Sequence, residues 1–198
     1  MTDRLLLVDF DRTLFDTSRF AETWWRWAAE RYAIDIAREL GRMEEYFNYV
    51  GQWRSYDFYR HIGELDLEVP VEQMLEQARH DLAGENFTYA DARAVFKLKD
   101  ERRIELVTFG NQRYQAYKIS FVSMLDDWVK HITEVDKADY LRAKFGERPL
   151  VLVDDKDLHR ELAENVEFIR LNRAQDHPVE QADGWVSINS LDRLEEVL

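Results

Sequence analysis

Two kinds of hydrophobic pattern alternate along this chain. Unbroken aliphatic runs stop abruptly at polar residues, and between them apolar residues recur three and four positions apart. The first run, Leu5-Leu6-Leu7-Val8, leads straight into Asp9-Phe10-Asp11. An aliphatic run of this kind suits a strand covered on both faces, as in a parallel sheet with helices above and below. Ile104-Glu105-Leu106-Val107-Thr108 reads as a second such strand, and Leu150-Val151-Leu152-Val153, ending in Asp154-Asp155, as a third. Shorter strands are predicted over 129–133, 166–171 and 185–188. Helices are predicted over 112–119, 138–145, 158–163 and 191–198. Thr88 with Asp91 three residues on is a helix-start signature, with Ala92, Val95 and Phe96 as the apolar face. Strands alternating with helices predict an α/β fold built on a doubly wound parallel sheet.

Residues 17–84 break this pattern. The stretch is aromatic, charged and poor in strand-like runs. Thr17 or Ser18 is placed to cap a helix, along which Phe20, Trp24, Trp27 and Ala28 recur at helical spacing. Gly41 and Gly51 interrupt two further segments of helical composition, which contain Met43, Tyr46, Phe47, Tyr49 and Val50. Pro70 suits a first helical turn. Val71, Met74, Leu75, Ala78 and Leu82 follow, and Gly84 closes that helix. The expected organisation is an α/β core of residues 1–16 and 85–198, with residues 17–84 as a helical insertion. There is no internal repeat and no low-complexity segment.

Composition narrows the function classes. With 198 residues, 45% hydrophobic and 34% charged, the chain is long enough for one α/β domain plus a smaller insertion. A formal net charge of −13 argues against duplex nucleic acid as a partner, which selects for a basic stripe, but leaves room for a small anionic substrate held by local positive groups. There are no cysteines, which excludes disulfides, thiolate metal sites and a cysteine nucleophile. No stretch reaches the length of a membrane span, and the N-terminal apolar run is cut short by Asp9 without a signal-peptide pattern. The expectation is a cytoplasmic protein with neither membrane nor nucleic acid as partner.

The candidate chemistry lies where the apolar runs end. In open α/β sheets ligands bind at the carboxyl ends of strands. Asp9 and Asp11 fall there, and they share a side if the strand stays extended that far. Asp154 and Asp155 end a second run. Should the two strands be neighbours, four carboxylates converge and call for a hard divalent cation with oxygen ligands, which magnesium fits best. The plainer reading of Asp11 and Thr13 is a polar turn, and of Asp154-Asp155 a helix N-terminus decorated with acids.

Asp9-x-Asp11-x-Thr13, behind an aliphatic strand, resembles the first motif of the haloacid dehalogenase superfamily. Val107-Thr108-Phe109-Gly110-Asn111 resembles its second motif, Lys137 ahead of a helix its third, and Leu152-Val153-Asp154-Asp155 its fourth. The four occur in the right order with matching strand context. The resemblance implies a Rossmann-like core with a helical cap between the first and second motifs. It also implies a magnesium-dependent phosphatase acting on a small phosphorylated metabolite. Asp9 would be the nucleophile that forms an aspartyl-phosphate, and Asp11 the general acid and then base. Magnesium would be held by Asp9, the Asp11 backbone carbonyl, Asp155 and Asp154, with Asp154 nearer to water or Lys137. Thr108 and Lys137 would stabilise the phosphoryl group. Phe10, Arg12, Phe109, Gly110 and Asn111 would complete phosphate and substrate binding. Arg12 departs from the family, which commonly has glycine there, at a position expected to offer mainly its backbone N–H.

The dehalogenases of the superfamily lack a carboxylate at the position of Asp11, which favours phosphoryl chemistry. A phosphomutase and a binding protein with vestigial activity are the competing readings. Trp24, Trp25, Trp27, Trp53, Tyr56 and Tyr59 are possible stacking residues, and Arg19, Arg26, Arg54 and Arg60 possible anion binders, though core aromatics and solvated arginines are the simpler expectation. Among the lysines, Lys137 is expected at the catalytic edge. Lys118, within the helix after Thr108, is expected to be carried away from it, and Lys144 to lie on the far side.

Overall fold

A computed structural model describes residues 4–51, 53–182 and 184–198. Leu5–Val8 (β1) is an interior strand of a seven-stranded sheet. Ile104–Phe109 (β4) pairs on one side of it, followed by Lys130–Thr133 (β5); β2 and β3 lie elsewhere and are described below. On the other side stand Leu150–Asp154 (β6), Val166–Leu171 (β7), Trp185–Ile188 (β9) and Val179–Ala182 (β8). All pairings are parallel except that of β8 with β9. The chain builds outward from β1 through β4 and β5, then returns to place β6 on β1's opposite flank. The strand order therefore reverses between β1 and β6, which creates a crevice at their carboxyl ends. The register Leu5↔Leu150 through Val8↔Val153 brings Asp9 level with Asp154.

Alternation along these strands fills two cores. Leu6, Val8, Ile104, Leu106, Val151 and Val153 point to one face, and Leu5, Leu7, Val107, Leu150 and Leu152 to the other. Both faces are covered, which is why the runs carry almost no polar residues. Ala92–Leu98 (α5) and Gln112–Ile119 (α6) pack on the first face, Lys137–Phe145 (α7) on the second. No helix among the described residues is long and apolar enough to cross a membrane.

The inserted stretch holds Thr17–Tyr32 (α1), Ile36–Arg42 (α2), Phe58–Gly63 (α3) and Val71–Asp81 (α4). It is not wholly helical. Phe47–Val50 (β2) and Trp53–Tyr56 (β3) form an antiparallel hairpin where helical composition predicts a helix. Gly51 adopts φ 58° at its turn, and the aromatic and β-branched residues of the two arms suit a pleated surface. Pro70 is the residue before α4, not part of its first turn.

Other expectations are also corrected. Residues 158–163 form turns and not a helix, since Leu158 is the segment's one fully buried apolar residue and a helix on a sheet needs a stripe. β8 is an additional strand. The closing segment divides into a short 3-10 turn, Leu191–Arg193, and the helix Leu194–Val197 (α8). Asp16, not Thr17 or Ser18, caps α1 by accepting from the Arg19 N–H at 3.0 Å. Thr88 bonds Asn86 and takes no part in capping α5. Asp91 instead takes a bidentate ion pair from Arg173 at 2.5 and 3.0 Å and a hydrogen bond from the Leu191 N–H at 3.0 Å. Arg173 also donates to the Thr13 carbonyl at 2.9 Å, so Asp91 braces the loop after β1 against the C-terminal segment.

Burial pushes the Asp91 carboxyl up, but Arg173 and the backbone donor outweigh it and hold it below its ordinary value. A depressed carboxyl stabilises the fold at pH values above its unfolded pKa, and that contribution fades as pH falls through the folded value. Asp91→Ala is expected to cost about 2–3 kcal/mol at neutral pH by stranding its buried donors. Urea denaturation checks this, and the gap to wild type should narrow below about pH 4.

Candidate active site

Asp9 is the first residue beyond β1. Its backbone N–H still bonds the Val153 carbonyl at 2.9 Å, so it is fixed to β6 as firmly as the strand itself. Asp154 ends β6 with no exposed surface, and Asp155 beside it is half-buried. Oxygens of Asp9, Asp154 and Asp155 come within 4.8 Å of one another. Lys137, the first residue of α7 and 2% exposed, donates to Asp9 Oδ1 at 2.7 Å and also to Asp154 Oδ2. The other Asp154 oxygen accepts the Lys156 N–H at 2.8 Å.

One ammonium does not balance three carboxylates. Burial, reinforced by Asp154 and Asp155, pushes the Asp9 carboxyl up to about 8 despite Lys137. Burial and Asp154 raise Asp155 to about 6. Burial opposes charge on Lys137, yet Asp154 and Asp9 overcome it and keep the lysine firmly protonated. The cluster thus carries uncompensated negative charge on oxygen ligands alone, the donor set suited to a hard divalent cation.

Asp11 stands apart from this cluster. The chain leaves extended geometry after Asp9, and the turn closes when Phe15 N–H donates to the Phe10 carbonyl at 2.9 Å and Arg12 N–H to the Phe15 carbonyl at 2.8 Å. The Asp11 carboxylate accepts from Thr17 Oγ1 at 2.6 Å, from Gln115 Nε2 at 2.7 Å and from Lys118 Nζ. Burial pushes its carboxyl up, but the Lys118 charge and these donors outweigh it and hold it below its usual value. Lys118 is itself 2% exposed, and burial lowers its pKa against the pull of Asp11.

The expectation that Lys118 points away from the strand ends is therefore overturned. It lies near the end of α6, yet Gln115 and Lys118, three apart on that helix, share the face turned to Asp11. Sequence reasoning missed Gln115, Lys118 and Thr17; the spacing of the first two on the helix opened by Asn111 was the available signal.

The remaining residues divide in kind. Thr108, at the end of β4, has a buried hydroxyl without a hydrogen-bond partner. An orphaned donor in a cavity wall is costly unless a ligand satisfies it. Gly110 has φ 145° and gives its N–H to the Thr133 carbonyl at 2.9 Å; a Cβ there would stand 2.6 Å from Gln115 Nε2. Asn111 caps α6 by accepting from the Tyr114 N–H at 3.1 Å. Phe10 is wholly buried and stacked on Phe15 at 4.6 Å, so its side chain serves the core and not the pocket. Arg12 has φ 62°, which explains why glycine suits that position; with its N–H spent on Phe15, its exposed side chain is what it presents.

A cavity of about 360 Å³ lies over these groups, roofed by α1 and the β2–β3 hairpin. Trp53 anchors the hairpin: its ring lies 5.3 Å from Phe109, and its Nε1–H donates to Asp136. Trp24, Trp25 and Tyr56 line the cavity, whereas Trp27 bonds Asp81 at 3.0 Å outside it. Arg54 reaches the cavity wall, but Arg19, Arg26 and Arg60 pair with Glu85, Glu22 and Glu64.

The fold recurs in solved structures. A protein described as a HAD-hydrolase, YfnB of Bacillus subtilis bound to magnesium, superposes with a TM-score of 0.60 at 16% identity over 98% of each chain. A HAD phosphatase of Thermococcus onnurineus gives 0.58 at 18% identity, covering 98% of this chain and 97% of that one. An L-2-haloacid dehalogenase of Xanthobacter autotrophicus gives 0.57 at 14% identity with the same coverage. The chain has the haloacid dehalogenase-like fold. No protein-family model matches the sequence, and neither does any curated protein. A phosphatase and a dehalogenase superpose on this haloacid dehalogenase-like chain about equally well, so the choice of reaction rests on its own residues.

Lys118→Met keeps the side chain's bulk and removes its charge. The Asp11 carboxyl is then expected to titrate clearly higher than in wild type, because burial goes unopposed by a cation. Carboxyl carbon NMR of the two proteins measures the difference. Gly110→Ala is expected to displace the Gln115 amide from Asp11 and to destabilise the fold, read as a lower denaturation midpoint.

Proposed function

We propose that this chain is a magnesium-dependent phosphomonoester hydrolase working through an aspartyl-phosphate on Asp9. The observation that carries the reading is the unsatisfied Thr108 hydroxyl beside Asp9 and Lys137, at the carboxyl ends of adjoining strands and facing the cavity. A phosphoryl oxygen supplies the acceptor that Thr108 lacks, and Lys137 is placed to offset charge on both nucleophile and phosphate. Asp9, Asp155 and the Asp11 backbone carbonyl would hold magnesium, a fit supported by the all-oxygen donor set and its excess of negative charge. When bound, the metal adds positive charge against the phosphoryl oxygens.

The steps follow from the residues. An Asp9 oxygen attacks phosphorus and the bond to the leaving oxygen breaks, with a proton passing from Asp11 to that oxygen. Water then attacks the aspartyl-phosphate, Asp11 takes its proton, and Asp9 is restored. Held ionised by Lys118, Asp11 is ready for the second step; a monoanionic ester brings the proton it needs for the first. Retention of this carboxylate favours phosphoryl transfer over dehalogenation, since a departing halide needs no proton. The substrate is a small phosphorylated metabolite that the cavity can enclose.

Asp9→Asn is expected to abolish p-nitrophenyl phosphate hydrolysis while circular dichroism stays native. Lys137→Ala should lose about 10²–10³-fold in kcat, the usual scale for a lost charge-stabilising donor. Excess chelator should stop turnover, magnesium should restore it, and calcium, with more ligands at longer distances, should not. Wild-type rates in folded Asp9→Asn, or in chelator after dialysis, would sink the mechanism.

A further inference from the structure

The geometry points to a substrate whose leaving group is an uncharged aromatic or aralkyl alcohol, rather than a polyol or a second phosphate. This inference rests on the hydrolase reading above and concerns the half of the cavity remote from Asp9. That half is built by the inserted segment, and Ala21, Trp24, Trp25, Met43, Phe47 and Phe58 are its apolar lining. Two of the polar handles among the aromatic side chains there are already spent, and the Trp25 indole N–H is left without a hydrogen bond among the described residues. Trp24 Nε1–H donates to Tyr117 Oη at 3.1 Å, and the Tyr56 hydroxyl shares a 2.5 Å hydrogen bond with His61 Nδ1. His61 is fully buried and its other nitrogen bonds Glu39 at 3.1 Å, so the Tyr56 hydroxyl is held back into the segment's own interior.

Charge is equally committed on this side. Arg54 pairs with Glu44 at 3.2 Å and lies over the Phe47 ring at 4.7 Å. Lys118 is bound to Asp11. Ser18 and Ser55 carry the segment's side-chain hydroxyls in the cavity wall that make no hydrogen bond among the described residues. A sugar enclosed here would strand several hydroxyls, each at a desolvation cost, and a second anion would find on the segment only Arg54, already paired with Glu44, since Arg12 and Lys156 stand near Asp155 at the strand ends. A flat ring gains from burial and from edge or face contact with Trp25, Phe47 and Phe58. At about 360 Å³ the space is at the small end of ligand pockets, enough for a phosphate and a compact ring.

The test compares two esters of primary alcohols, 2-phenylethyl phosphate and glucose 6-phosphate, so that leaving-group reactivity is similar. With the wild-type protein and magnesium, kcat/KM by phosphate release is expected to favour the phenylethyl ester about thirty-fold, the scale of burying one ring. Met43→Gln and Phe47→Asn, which add amides to the roof and leave the strand ends untouched, should each narrow that ratio. Equal turnover of the two esters, or preference for the hexose ester, overturns the inference while the hydrolase reading stands. Release of phosphate from neither ester, nor from p-nitrophenyl phosphate, overturns both.

Discussion

Two buried ammonium groups compensate the carboxylates that β1 and β6 bring together, and the rest of the architecture serves that balance. Asp9 and Asp154 are forced into proximity by strand register alone. Without a partner, each would carry the penalty of a buried, unpaired charge. Lys137 stands between them at the start of α7, and Lys118 meets Asp11 from α6. Both helices follow strands on the β4 side of the sheet, so the strand order that creates the crevice also delivers its cations. The compensation is incomplete: Asp9 is left with a raised pKa, and the three clustered carboxylates keep an excess of negative charge over Lys137.

The inserted segment is bound into the same balance. Thr17, at the head of α1, donates to Asp11, and it is free to do so because Asp16 takes over the capping of that helix. Trp53 ties the hairpin to Phe109 and Asp136, on either side of the Thr108 and Lys137 pair. Phe58 packs on Tyr114 at 4.5 Å, one turn of α6 before Lys118. Side chains that roof the cavity therefore also hold the groups at its floor, and a change in the roof is felt at Asp11 through Thr17 and α6.

Much of this was legible in the sequence because its causes are local. A fully apolar strand needs cover on both faces, so 5–8, 104–109 and 150–154 announced a parallel sheet, and polar residues at their ends announced the crevice. Helix α6 was predicted over the residues it occupies, and Asn111 caps it there. The hairpin at 47–56 was not legible: its aromatic residues suit helix and strand alike, and only packing against the core selects the strand. Residues 158–163 misled because helical spacing says nothing of how much apolar surface the sheet leaves to cover.

Sequence by itself determined the α/β class, the strand ends at which Asp9, Thr108 and Asp154 sit, and the placing of Lys137 at a helix start. These depend on hydrophobic periodicity and on capping, which act over a few residues. Tertiary structure alone decided that Asp11 is held by Thr17, Gln115 and Lys118, and that Asp91 braces Arg173 rather than capping α5. It also decided that the Thr108 hydroxyl is left without a partner. Each of these is a matter of which charge or donor meets which across distant parts of the chain. Buried electrostatics depends on three-dimensional distance and desolvation, and neither can be read from spacing along the sequence.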